Sequence, residues 1–395
     1  MADANRRTFL RALALGAGGL ASTQSLAAGN DGHAAGYDAA QASDFMRTVP
    51  RKTGDPVKFT ASLDTSPIKA TSVGWAREVT ARSLPLATDM AIAHLFLNPG
   101  GSREMHWHNA AEWAYVLAGQ CQIVVVDPNG AAEVANLARG DLWYFPKGQS
   151  HSIQTLGSEP CHAVLAFDDG LYSEHGTFGL SDWMSRLDPS TLAQTFGVDA
   201  SAFTKIPGGE TYINQGAVLT HDGQQARSAR ELDRKRSYRY PLMAQKPRVH
   251  TTGGTFHLAS AREFPVSTTI TGWFMKLQPR AMHKPHWHPN ANEWHYVAKG
   301  RIQVSLFAAD KRLAVAEVSA GEGAYVPRGA GHLIQNIGAE ECEIVGMLDN
   351  GTYEESTLVD WMAKAPGHVI ANNLGLSEAA LVPFRKPGAS IAAAT

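Results

Sequence analysis

One histidine–glutamate pattern constrains this chain more than any other feature, because it occurs twice. His106-Trp107-His108-Asn109-Ala110-Ala111-Glu112 returns 180 residues later as His286-Trp287-His288-Pro289-Asn290-Ala291-Asn292-Glu293. On a β-strand alternate side chains share a face, so His106 and His108 point the same way. If the strand continues or bends gently, Glu112 joins them. Two imidazoles and a carboxylate converging on one point are most of a metal ligand set. The flanks repeat too. Gly119 matches Gly300, Gly140 matches Gly321 and Pro146-Lys147-Gly148 matches Pro327-Arg328-Gly329. Further on, His151 matches His332, Asp168-Asp169-Gly170 matches Asp349-Asn350-Gly351 and Trp183 matches Trp361. The chain is a duplication, and its 395 residues are enough for two domains with full cores.

Each copy reads as a series of short strands. In the first these are Met90 to Leu97, Glu112 to Leu117, Gln122 to Val126, Leu142 to Phe145 and Ala163 to Phe167. Turn residues punctuate them, as in Pro99-Gly100-Gly101 and Asp127-Pro128-Asn129-Gly130. Many short strands with turn chemistry between them give an all-β barrel or sandwich. Helical spacing follows each copy: Asp182 to Phe196 with a break at Pro189, then Leu358 to Lys364 and His368 to Leu374. The expected organisation is a leader over 1–28, an extension over 29–70, a first domain over 71–200, a linker over 201–250, a second domain over 251–378 and a C-terminal tail over 379–395, Ala-rich and loose from Lys386.

Arg6-Arg7-Thr8-Phe9-Leu10, an apolar stretch to Ala21 and Ser25-Leu26-Ala27 stand in the order of a bacterial twin-arginine export signal. The apolar stretch is too short to span a membrane. The expected location is therefore periplasmic or secreted, with no membrane attachment after export. A formal net charge of −2 argues against nucleic acid as a partner. Cys121, Cys161 and Cys342 make no disulfide framework and read as buried thiols.

The fourth ligands of the two candidate sites are His151 and His332, each at the end of a Gly-x5-Pro-x-Gly-x2-His run. Joined to His106, His108 and Glu112, and to His286, His288 and Glu293, these runs resemble the paired motifs of the cupin superfamily. That resemblance implies two tandem jelly-roll barrels, each followed by short helices, with the ligands pointing into the lumen. Three imidazoles and one carboxylate leave open positions on an octahedral ion. Donor type suits Mn²⁺, Fe²⁺, Ni²⁺ or Zn²⁺, and the affinity order favours Zn or Cu.

Arg103-Glu104-Met105-His106-Trp107-His108, Glu112-Trp113-Ala114-Tyr115, Gly140-Asp141-Leu142-Trp143-Tyr144-Phe145-Pro146 and Phe167-Asp168-Asp169-Gly170 resemble the bicupin oxalate decarboxylases. The likeness spans about residues 70–375. It implies a Mn²⁺ enzyme that requires O₂ without net consumption, splits oxalate to formate and CO₂, and assembles as trimers or hexamers. By the same resemblance Arg103 holds the substrate. A small dianion at a cationic metal calls for a second fixed positive fork. Glu174, in the lid Ser173-Glu174-His175-Gly176, is the implied proton relay. His175 and Gly176 depart from the family's Asn and Ser/Thr, so oxalate oxidation to CO₂ and H₂O₂ stays an alternative, as does a periplasmic metal-storage role.

The second copy departs further. His283 stands at the place of Arg103, Arg280 replaces a glycine, the family's last carboxylate falls on Gly346, and Glu355 aligns with Glu174 in a shortened loop. A second site that binds metal but turns over little is expected.

Overall fold

The computed structural model describes residues 57–220, 236–309, 312–386 and 388–394. The twin-arginine signal, the extension up to residue 56 and the Arg234-Lys235 part of the linker lie outside the described residues.

Among the described residues the strands form four antiparallel sheets, two per repeat, and each pair closes a jelly-roll barrel. In the first barrel one sheet carries the strands Gly101–Trp107, Ser150–Thr155 and Gln120–Val126. The other carries Leu142–Phe145, Glu112–Ala118, Cys161–Phe167 and Ala91–Leu97. The expected strands are all present, within two residues of their predicted limits. The expected helices follow each barrel as Leu180–Ser185 and Pro189–Phe196, then Leu358–Lys364 and Gly367–Leu374.

The strand Glu112–Ala118 explains how the barrels join. Its first five residues are all buried, so it lies between two apolar layers. Glu112, Ala114 and Val116 alternate toward the lumen, while Trp113 and Tyr115 face the other barrel. Tyr115 stacks on Phe274 with ring centroids 5.3 Å apart. Trp113 lies over Gly272, where an added Cβ would come within 2.0 Å of the indole. The reciprocal Trp294 donates its indole N–H to the Met90 carbonyl at 3.0 Å. One continuous apolar cluster spans both barrels.

The barrels also exchange edge strands. Thr60–Ser62, ahead of the first repeat, pairs with the second barrel at Glu322–Ala324. Arg239–Tyr240, ahead of the second repeat, pairs with the first barrel at Leu142 and Trp143. Edge pairing of this kind removes exposed backbone donors and acceptors. The C-terminal tail differs from expectation. Beyond Lys386, where the sequence predicts a loose chain, Ile391–Ala392 pairs with Met282 and His283, and Ile391 is buried. The apolar Ile391 side chain fills the barrel wall, which an Ala-rich composition did not reveal. Cys121, Cys161 and Cys342 are free and buried, as expected.

Two candidate metal centres

His106 lies on the strand Gly101–Trp107 and His151 lies opposite it on the neighbouring strand. The chain turns after Trp107, so Glu112 does not continue that strand. It opens a strand of the opposite sheet. His108 sits in the turn between them. The four side chains therefore meet from two sheets and a turn, inside the barrel. One ligand atom from each of His106, His108, Glu112 and His151 falls within 4.8 Å of the others, and all four residues are buried. His286, His288, Glu293 and His332 form the same group in the second barrel.

Backbone carbonyls orient the rings. Nδ1 of His106 meets the Glu104 carbonyl at 2.7 Å, that of His108 meets Ala110 at 2.7 Å and that of His151 meets Gln149 at 2.8 Å. A carbonyl only accepts, so each Nδ1 carries the proton and each Nε2 presents a lone pair inward. The second barrel repeats this with the carbonyls of Lys284, Glu354 and Ala330. Buried Nε2 atoms of His151, His286, His288 and His332 have no hydrogen-bond partner. Burial, then neighbouring positive groups, holds His106 well below the ordinary imidazole range. Burial works against ionisation of Glu112, but the close approach of the His108 and His151 imidazoles more than offsets it and lowers its pKa. Neutral imidazoles and an ionised carboxylate are the protonation states a divalent cation requires. The residues fit a metal ion in both barrels.

An indole N–H fixes each glutamate. Trp143 donates to Oε1 of Glu112 at 2.8 Å, and Trp273 donates to Oε1 of Glu293 at 2.8 Å. These two tryptophans are not equivalent in the repeat. Trp143 faces Ala114 across the ladder, and the equivalent pair in the second barrel is Ala324 with His295. Trp273 instead faces Gly346, where a Cβ would fall 1.8 Å from the indole. The missing carboxylate at Gly346 is thus the space that Trp273 occupies. His295, absent from the sequence reading, is buried with Nε2 2.7 Å from Oε2 of Glu293.

A β-bulge brings Arg103 to the first centre. His106 faces His151 and Arg103 faces Ile153, so three steps on one strand oppose two on the other. The extra residue turns Arg103 to the same buried side as His106, which strict alternation forbids. Arg103 is 2% exposed and donates to Thr177 Oγ1 at 3.0 Å and to the Tyr212 carbonyl at 3.2 Å. Its Nη2 lies 3.3 Å from Oε2 of Glu174. Burial works against its charge, but Glu174, with Tyr212, Tyr172 and Glu210 behind it, together more than offset that and raise its pKa.

The lid is a single 3₁₀ turn, Glu174–Gly176, capped by Ser173. Glu174 is buried, with Tyr172 donating to its Oε1 at 2.9 Å. Glu78 accepts from the Glu174 amide at 2.8 Å and from Ser173 Oγ at 3.1 Å. Lys69 donates to the Glu174 carbonyl at 2.9 Å and to Glu210 at 2.8 Å. Tyr212, from the linker, lies under the Arg103 guanidinium at 4.3 Å with a positive φ of 59°. Sequence reasoning missed Glu78, Tyr172, Glu210 and Tyr212. Trp143 stood within a quoted motif, but nothing in the sequence assigned its partner. In the second barrel Tyr353 donates to Glu355, and His283 Nε2 lies 3.6 Å from that carboxylate.

The comparisons agree with this architecture. The cupin family model matches residues 61–202 and 240–380. Oxalate decarboxylase OxdC of Bacillus subtilis (strain 168) is 35% identical over 305 residues, covering 77% of this chain and 79% of its own. A probable oxalate decarboxylase of Arthroderma benhamiae is 34% identical over 301 residues, covering 75% and 74%. A solved mutant of the Bacillus subtilis enzyme matches with a TM-score of 0.81 at 31% identity, covering 88% of this chain and 92% of that one. A second structure, solved to study the Mn(II) centres of that enzyme, gives 0.81 as well. Two barrels, two ligand sets and similarity along both repeats place this chain in the cupin family, as a two-cupin relative of the oxalate decarboxylases.

Proposed function

We propose that this protein decarboxylates oxalate to formate and CO₂ at the first barrel. The observation that carries the reading is the buried Arg103–Glu174 pair next to a complete three-histidine, one-glutamate set. His106, His108, Glu112 and His151 would hold Mn²⁺, the ion studied in the Bacillus subtilis relative. When bound, that ion supplies a cationic, redox-active centre with open positions for a small carboxylate. Arg103 holds the distal carboxylate of the substrate through its guanidinium fork. Its charge is available for that role because Glu174 and substrate are alternative partners. Glu174 takes the proton of the substrate's acid group and returns it to the carbon left when CO₂ departs. Tyr172 keeps the carboxylate aimed during both transfers. The closed lid excludes water that would otherwise compete for the proton.

The second barrel lacks an arginine at His283, so in the same reading it binds metal without efficient turnover. Export through the twin-arginine signal and assembly of several copies belong to the same reading. Trp183 and Trp361, on the helices after each barrel, are 55% and 63% exposed, as a self-association face requires.

The test is Mn-loaded protein incubated with oxalate in air, in mildly acidic buffer, with formate, CO₂ and peroxide measured together. Formate and CO₂ in equal amounts are expected. Peroxide without formate would assign oxidase chemistry, and no product at full metal occupancy would overturn both.

A further inference from the structure

The second barrel offers more ligand atoms than its four-residue centre uses. His283 is 2% exposed, and neither of its ring nitrogens has a hydrogen-bond partner. Native structures seldom leave buried polar groups unsatisfied without a reason, and an absent ion is one. One ligand atom from each of His283, His286 and Glu355 lies within 4.8 Å of the others. The Tyr353 hydroxyl donates to Glu355 and fixes that carboxylate. His286 belongs to both ligand groups. Its Nδ1 is committed to the Lys284 carbonyl at 2.7 Å, so one nitrogen, Nε2, serves both. The two groups therefore mark neighbouring positions for a single ion. In the first barrel the place of His283 is held by a guanidinium, which cannot ligate.

We propose that His283 and Glu355 are donors to the metal of the second barrel, and that this larger set takes a late divalent ion such as Zn²⁺ in stronger preference to Mn²⁺ than the first barrel does. The physical basis is donor type. Imidazole suits Zn²⁺, whereas Mn²⁺ is better matched by carboxylate and water, so each added imidazole widens the gap. The first barrel adds a fixed positive charge in place of a donor. The inference concerns metal choice and stands apart from the reading of the substrate.

The test uses full-length, metal-free protein in two forms, Glu112→Ala to leave only the second centre and Glu293→Ala to leave only the first. Each is equilibrated with mixed Zn²⁺ and Mn²⁺, and bound metals are counted by mass spectrometry, with Mn²⁺ checked by electron paramagnetic resonance. The Zn/Mn ratio of the second centre should exceed that of the first by on the order of tenfold. Adding His283→Arg or His283→Phe to the Glu112→Ala form should bring the ratio down toward the first-centre value. His283→Phe keeps an uncharged ring of similar shape against Phe256 and guards against misfolding by the arginine, with circular dichroism as the check. Equal ratios in the two single-centre forms would overturn the proposal. So would a ratio that a folded His283→Phe protein leaves unchanged.

Discussion

Arg103 and Glu174 form a buried ion pair between a barrel strand and the lid, with Nη2 3.3 Å from Oε2. The two residues are 71 positions apart, and both side chains are removed from water. A buried charge that loses its partner is destabilising by roughly 3–5 kcal/mol. The lid is therefore held shut when the substrate position is empty, and an incoming carboxylate must replace Glu174 at the guanidinium.

The first prediction follows from that exchange. Glu174→Gln keeps the size and one acceptor but removes the proton carrier. Formate production should fall by roughly 10²–10⁴-fold, the range for loss of a general acid–base group. Bound metal at the first centre, measured by mass spectrometry, should not change. Loss of metal together with activity would show that Glu174 is structural.

Glu78 is the second case. It lies outside the lid, yet it accepts both the Glu174 amide and the Ser173 hydroxyl. Glu78→Ala should free the start of the lid without touching the ligands. Amide hydrogen exchange over Glu174–Thr177 should become faster, and the formate rate should drop by about tenfold or more as the lid spends less time closed. Unchanged exchange would remove the assigned role.

The exchanged tryptophans give a third prediction. Trp143→Phe should weaken metal binding at the first centre by roughly 10–100-fold, the usual effect of removing a partner behind a ligand. Trp273→Phe should do the same at the second centre only. Chelator competition followed by metal counting separates the two. Equal loss at both centres in either variant would contradict the one-to-one pairing.

Acid stability is the fourth. His94 is 1% exposed, and burial, then His162 and then Arg77, depresses its pKa to about 3 from the ordinary 6.5. The folded state holds it neutral while the unfolded state protonates it. Stability is therefore complete above pH 6.5 and falls as pH drops toward 3. The loss should reach a few kcal/mol, at about 1.4 kcal/mol per pKa unit. His94→Phe should flatten the fall in melting temperature across that window, measured calorimetrically. An unchanged slope would place the acid sensitivity elsewhere.

The sequence by itself determined the duplication, the barrel architecture and the eight residues that the fold gathers into two candidate ligand groups. Ligand identity was legible because it depends on residue type at fixed spacing, repeated in register. It also marked Arg103 and Glu174 as the pair that distinguishes the first barrel from the second. Tertiary structure decided how these residues meet. Strict alternation would place Arg103 and His106 on opposite faces, and only the bulge against Ser150–Thr155 puts them together. Nothing local joins Tyr212 to Arg103, or Glu78 to the lid, because those contacts close loops of about a hundred residues. The exchange of Trp143 for Trp273 was equally hidden. Each fills the same role from a different strand, and its partner, Ala114 or Gly346, lies across the ladder rather than along the chain. Spacing records which groups are available; packing across the barrel decides which of them touch.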